Sequence, residues 1–506
     1  MHEVVVVGGG VGGLTAAALL AARGVGVCLI ERASRVGGCC ASFESFGHTF
    51  ERGAGLYAGW GPGGVHERVF SELPAEPPRV GPLTPAYVVR THEGDDVSVG
   101  GTREEFSEVL RASFPECADA AADFYAEAFR IADALERAAR RFPALTNTTK
   151  LERLRLAASD PRLFSRVLAA REETAARHLP NTSARFRRFV DAQLQIYAQA
   201  ASDECSYLYA AVALAQPFRG MHAIGGGAQA LADTLAESVR SGGGTLRLDS
   251  TALRVALDAR GRAIGVDLIS GERVEASRAV VSNLTVWDTY GKLLGADRTP
   301  PDVRAQLKSL RGRGAYQIFL SLDEEAARSL PSEHVLALGR SGEGPAFDTE
   351  TAPLMLGCAP AWDARAPAGK RAANVSTFTD AEHWFTFHAD ESEHEERDQR
   401  TLESVWTRLH SSLHELGSGA EVIETSTPRT VYEHTRRRLG MTGAPPRTPA
   451  ALLSNLQTHR THVPNLYLTG DTVFPGNGLA PVTHSALVVA NEIAPPSGRV
   501  GRGRGD

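Results

Sequence analysis

An α/β fold, with one domain assembled from separated stretches of chain and an α+β domain inserted between them, is predicted by three observations. The first is the stretch VVVVGGGVGGLTAAALLAARGVGVCLIER at residues 4–32. The second is a block near the other end, PNLYLTGDTVFPGNGLAPVTHSA at 464–486. The third is a helix, strand and hairpin pattern at 218–283. With 506 residues the chain has room for about two to four domains. Apolar residues make up 42% and charged residues 23%, an ordinary globular balance. The net charge of −6 argues against a general nucleic-acid partner.

The opening stretch reads as a βαβ unit of Rossmann type. Val4–Val7 carries no charge and reads as a strand buried on both faces. Gly8 makes the tight turn, Gly10 lets the backbone approach a pyrophosphate, and Gly13 lets helix and strand pack closely. Gly12 belongs to the same phosphate-facing set. A helix over Leu14–Arg23 aims its amino end at that phosphate, and Gly24 stops it. The second strand, Val25–Ile30, delivers Glu31 and its neighbour Arg32 to the ligand. An acid at this position accepts from a free ribose 2′-hydroxyl, which favours FAD or NAD over NADP.

Gly37-Gly38 follow in ERASRVGGCCAS. This pair resembles the second signature of the large FAD-dependent family that includes amine oxidases and phytoene desaturases. The resemblance implies FAD, with Gly37 and Gly38 along its diphosphate. At the far end Leu466–Thr469 reads as a strand running into Gly470-Asp471. The whole block resembles the C-terminal motif of the phytoene desaturase and carotene isomerase family, matching it at Pro475-Gly476-Asn477-Gly478 and Ser485. It departs at Ala480-Pro481-Val482, where relatives usually have Gly before Val. The resemblance implies that Asp471 bonds the ribityl chain. It also implies that Val482 lies at the flavin, and that a helix starting near Thr483 points its amino end at the ring.

Between the ends, Gln229–Val239 has helical period and Gly242–Gly244 stop it. Leu246–Leu257 alternates as a strand, DARGR turns the chain, and Ala263–Leu268 returns. By the same resemblance Ala252 lies near the adenine. The FAD-binding domain is therefore expected from 1–70, 218–290 and 460–495. The substrate-binding domain is expected from 71–217 and 291–459, with 496–506 a disordered tail.

Within the insertions, Thr102 and Glu105 form a capping box that starts a helix. Much of 103–215 reads helical, with breaks at Pro143, Pro161 and Pro180. Residues 137–188 carry 13 Lys/Arg against 4 Asp/Glu. That basic amphipathic segment reads as a surface for anionic lipid headgroups, or as a solvated helix face. The acidic stretch 380–400 is expected to pair with it. Its His383, His388 and His394 lack metal-ligand spacing, and no metal site is expected. Six cysteines without a C-x-x-C pair suggest a reducing cytoplasm, with Cys39 and Cys40 as plain thiols. No signal peptide and no membrane-spanning segment is read, so the expected place is the cytoplasm, with peripheral contact at the inner face of the membrane.

The resemblance implies a long apolar tunnel, a hydrophobic polyene or isoprenoid substrate such as a carotenoid, and desaturation or isomerisation with hydride transfer to flavin. Tyr57, Trp60, Glu51 and Arg52 are expected near the ring, Arg52 meeting a polar substrate or pairing with Glu51. No catalytic residue is named, and the oligomeric state is not read. Three other functions stay open: oxidation of C–N bonds by an amine-oxidase-type flavoprotein, reduction of an alkene in the manner of a retinol saturase, and a non-enzymatic prenyl-binding escort.

Overall fold

The computed structural model describes residues 2–141, 158, 161–339, 349–386, 391–453 and 458–496. Its first sheet is built on strand β1, His2–Val7, followed by helix α1, Val11–Ala22, and strand β2, Val27–Ile30. The parallel part runs Thr245–Arg247, β2, β1, Arg273–Ser282 and Leu466–Leu468. Val5 stands between Cys28 and Val280, and Val280 stands beside Leu466. Strands from the start, middle and end of the chain thus share one sheet. Val4, Val5 and Val6 are fully buried, as helices or loops cover both faces.

One face is covered by α1 with the helices Ala228–Ser241 and Leu479–Ile493. Ala16, Ala17 and Ala18 are fully buried, and their small side chains let these helices lie close together. The other face packs Val5, Val7, Cys28 and Ile30 against Trp287, Tyr290 and Met441. The strand Arg273–Ser282 serves twice: its start pairs antiparallel with Ala263–Leu268 and its end pairs parallel with β1.

Observed and expected elements differ at several points. α1 begins at Val11, three residues before the expected Leu14, because Gly10 is already extended and caps it. The single strand expected over Leu246–Leu257 is two, Thr245–Arg247 and Ala252–Leu257. Asp249, with φ at +48°, turns the chain between them. Asp and Ser favour such turns, and the alternating apolar pattern runs across the break without marking it.

The second sheet has seven strands. Their order is Ala420–Ser426, Arg313–Asp323, Lys370–Asp380, Leu354–Cys358, His334–Ala337, Tyr87–Arg90 and Asp96–Val99. Helices Arg103–Ser113, Ala118–Arg141, Ala184–Ala198 and Tyr207–Ala215 pack beside it around Phe106, Phe114, Tyr125, Phe186 and Phe189. The capping box forms: Thr102 Oγ1 accepts from Glu105 N–H at 3.2 Å, and Glu105 Oε2 accepts from Thr102 N–H at 3.1 Å. Pro161 opens the helix Pro161–Glu172, while Pro143 lies outside the described residues. A small third sheet, Tyr57–Ala58, Met221–Ile224 and Val80–Leu83, joins segments expected in different domains.

Among the described residues, the ion pairs of the acidic and basic stretches run to other partners. Arg185 meets Asp95 at 2.6 Å, Glu382 meets Arg311 at 2.9 Å, and Glu391 meets Arg429 at 2.6 Å. Leu151, Leu154 and Leu156 of the basic stretch, and His388 of the acidic one, lie outside the described residues. Among the described residues no helix is long and apolar enough to cross a membrane, and no group of three or more His, Cys, Asp or Glu is placed to hold a metal ion.

Candidate functional site

The loop from Val7 to Val11 turns at Gly8, whose φ of +101° suits glycine alone. A methyl group on Gly13 would stand 2.1 Å from the Gly8 carbonyl oxygen. One on Gly12 would stand 2.5 Å from Asn283 Oδ1 and 3.3 Å from Gly470 Cα. Side chains are absent from this turn, and those of Asn283 and Val482 border the groove over the amino end of α1; such a glycine turn is the arrangement that receives a diphosphate. Glu31 closes one end of the groove. Its Oε2 accepts from Gly9 N–H at 2.6 Å and its Oε1 from Ala33 N–H at 2.8 Å, so the carboxylate is fixed. Arg32 turns away and donates to the His434 carbonyl at 2.6 Å.

Gly37 N–H donates to Gly9 O at 2.8 Å, which brings the Gly37-Gly38 pair onto the same groove. A methyl on Gly38 would lie 3.3 Å from Gly10 Cα. Ser250 N–H donates to Glu31 O and Asp249 N–H to Ala33 O, at 2.9 and 3.1 Å. These bonds bring the chain leading into Ala252 beside the acid. Burial pushes the Cys40 thiol up to about 12, and burial also raises Cys39, so both stay protonated.

At the other end Gly470 N–H donates to Ser485 Oγ at 3.2 Å, holding the strand end against the helix Leu479–Ile493. Asp471 receives Arg437 Nη2 at 2.9 Å. Arg437 also donates to the carbonyls of Met441 and Gly443, at 2.8 and 3.0 Å. Burial works against its charge, and the Asp471 carboxylate outweighs that and raises its pKa. Neither Arg437 nor Asn283 was singled out as a site residue from the sequence. Asn283 closes the apolar run AVVSN directly after a strand, which is the signal that finds it.

The last helix begins at Leu479, four residues before the expected Thr483. Pro481 is accommodated because it sits in the first turn, where its missing N–H costs no helical bond. Val482 N–H is taken by Gly478 O at 3.1 Å, so Val482 faces Gly12 through its side chain, 3.1 Å from a methyl placed there. The expected Arg52–Glu51 pair is also corrected. Glu51 accepts from Tyr57 OH at 2.6 Å, and Arg365 Nη1 lies 3.1 Å from it. Arg52 instead lies over the Phe43 ring, 4.9 Å from its centre.

A cavity of about 270 Å³ opens beside the segment 474–484. Leu56, Ala58, Leu208, Val212, Met221 and Leu479 give it apolar walls. The same helix that sets Val482 against Gly12 presents Ala480, Pro481 and His484 to this cavity. Trp60 stacks on His66, with ring centres 4.2 Å apart, in the loop after Ala58.

A parallel sheet that sets a glycine turn and an acid after β2 beside an aspartate after the last strand has the frame of a dinucleotide-binding protein. The flavin containing amine oxidoreductase family model matches residues 11–494, and the chain belongs to that family. It is an FAD-dependent oxidoreductase. It is similar to a prolycopene isomerase of Arabidopsis thaliana, 26% identical over 98% of this chain and 83% of that protein. It is also similar to the all-trans-retinol 13,14-reductase of Homo sapiens, 24% identical over 97% of this chain and 85% of that protein. Among solved structures, an oxidoreductase from Methanosarcina mazei shares the fold with a TM-score of 0.64 at 17% identity, covering 96% of this chain and 99% of that one. A putrescine oxidase variant does so with a TM-score of 0.62 at 15% identity, covering 98% and 99%.

Proposed function

We propose that this enzyme desaturates or isomerises a hydrophobic polyene or isoprenoid such as a carotenoid. The observation that carries the reading is the apolar cavity, walled on one side by the same helix that packs on the Gly12–Gly470 groove. The similarity to a prolycopene isomerase supports it. Segments 1–70, 218–290 and 460–495 form the FAD-binding domain in this proposal, and 71–217 with 291–459 form the substrate-binding domain. Gly8, Gly10, Gly12, Gly13, Gly37, Gly38 and Gly470 line the dinucleotide. Glu31 holds the ribose, Ala252 lies by the adenine and Asp471 holds the ribityl chain. Arg32, bonded away from the groove, borders it, and Val482 packs against it.

Bound FAD supplies hydride acceptance at its ring. The chain's own residues place and shield. Arg437 fixes the Asp471 carboxylate, and the amino end of the helix Leu479–Ile493 sets a positive dipole end beside the site. The cavity walls exclude water and bind by area, with roughly 2.5 kcal/mol for each 100 Å² of apolar surface transferred. A hydrocarbon needs few polar anchors, in keeping with a site that shows no general base by sequence.

Alkene reduction is the second reading, supported by the similarity to a retinol reductase. Oxidation of an amine fits less well. Among the described lining residues Glu136 is the acid, and it lies against Arg219 and Arg140 rather than free for an ammonium group. The basic stretch 137–188 is proposed as a peripheral contact with anionic membrane, the source of an insoluble substrate. Anaerobic mixing with a panel of polyenes, isoprenoids and amines tests the whole reading. Bleaching of the flavin by a polyene and not by amines is expected, and bleaching by amines alone overturns it.

A further inference from the structure

The strands Phe43–Ser45 and His48–Phe50 form a hairpin that closes on two residues, Phe46 and Gly47. Both have positive φ, +46° and +74°. That is the pattern of a type I′ turn, whose first position favours Asn, Asp or Gly. A bulky aromatic residue is strained there. Phe46 is nonetheless 81% exposed, so burial does not offset the strain. The turn is held firmly in place. His48 Nδ1–H donates to the Phe46 carbonyl at 3.0 Å, and His48 Nε2 lies 3.0 Å from Ser321 Oγ on the second sheet. Phe43 and Phe50 pack on Phe319 of the same strand, with ring centres 4.7 and 5.4 Å away. A rigid mount therefore holds one large apolar ring out in solvent.

We propose that Phe46 is a membrane wedge, which enters the interface of a lipid bilayer. The surroundings of the ring favour lipid over a protein partner. The other large apolar side chains that stand exposed among the described residues, Leu168, Leu253 and Ile269, belong to other elements. Phe46 thus lacks the apolar patch at the centre of a stable protein interface, which buries roughly 800 Å² on each side. A fluid bilayer takes up a single ring without a matching surface. Glu44 is exposed and points to the face of the hairpin opposite Phe43. It stands two residues, about 7 Å, behind Phe46, which leaves it at the level of the headgroups while the ring goes deeper. The contact is therefore apolar. It is separate from the basic stretch 137–188, and it does not depend on which polyene the cavity takes.

The test follows sedimentation of the FAD-loaded protein with vesicles of pure phosphatidylcholine, which carry no net charge and offer the basic stretch little attraction. The native protein should bind them. Phe46→Asn should lower the partition constant at least ~10-fold, the loss expected for one phenyl ring. Its flavin content should not change, and its midpoint of urea unfolding should hold or rise, because Asn suits the turn. Phe46→Trp should bind like the native protein. The emission of the added tryptophan, taken as the difference from the native spectrum, should shift to the blue when vesicles are added. Failure of the native protein to bind, an unchanged partition constant in Phe46→Asn, or an unshifted emission in Phe46→Trp would each overturn the wedge. A lower unfolding midpoint in Phe46→Asn would make Phe46 a packing residue and overturn it as well. None of these results bears on the polyene reading.

Discussion

Gly12 and Gly470 lie 458 residues apart in the chain, yet a methyl group on Gly12 would come within 3.3 Å of Gly470 Cα. The contact works because both positions lack a side chain and because Asn283, from the middle of the sequence, fills the space beside them. Gly13→Ala should therefore be costly at once, since its methyl has only 2.1 Å to the Gly8 carbonyl oxygen. The variant is expected to lose FAD affinity by tenfold or more, measured by reconstituting apoprotein with FAD.

Asp471 and Arg437 form the second handle on the same groove. Asp471→Ala removes the proposed ribityl partner and leaves the Arg437 charge buried without its carboxylate. Breaking such a pair from one side costs roughly 3–5 kcal/mol. Reduced flavin content and a lower midpoint of urea unfolding are both expected. In a double-mutant cycle with Arg437→Met, the double variant should be more stable than Asp471→Ala alone.

Acid should destabilise the fold before its carboxylates titrate. Burial lowers His66 and His459 to about 3 and His334 to about 4. Each stays neutral in the fold, while the unfolded chain takes up a proton near 6.5. Their contribution is complete above that value and declines as pH falls from there towards 3–4. Between pH 7.5 and 5.5 each loses roughly 1.4 kcal/mol of stability. Urea denaturation at the two pH values checks this, and equal midpoints would contradict it.

The basic stretch offers a separate test. Replacing Arg153, Arg155, Arg162 and Arg166 by Gln removes four positive charges. The partition constant onto phosphatidylserine vesicles should fall by roughly a thousandfold, at about 1 kcal/mol for each of four charges near the surface, and flavin content should not change. Unchanged sedimentation would leave this face solvated.

The parts that could be read from sequence are those where local pattern and fold coincide. Val4–Val7, the glycines after it, Gly24 and Glu31 each determine their structure within a few residues, and they stand where their chemistry places them. The Thr102–Glu105 box is local in the same way. Elements set by distant contacts were not visible. Arg437 finds Asp471 across 34 residues with no periodic signal. The turn at Asp249 hides inside an alternating pattern, and the last helix starts at Leu479 with Pro481 inside its first turn.

The claim on which the rest depends is that the two ends of the chain close on one flavin dinucleotide. Flavin content of the purified protein, measured by absorbance after denaturation beside that of Gly13→Ala and Asp471→Ala, tests it most directly. The account predicts yellow protein with about one FAD per chain and a marked loss in both variants, one from each end. Full flavin content in either variant would contradict it.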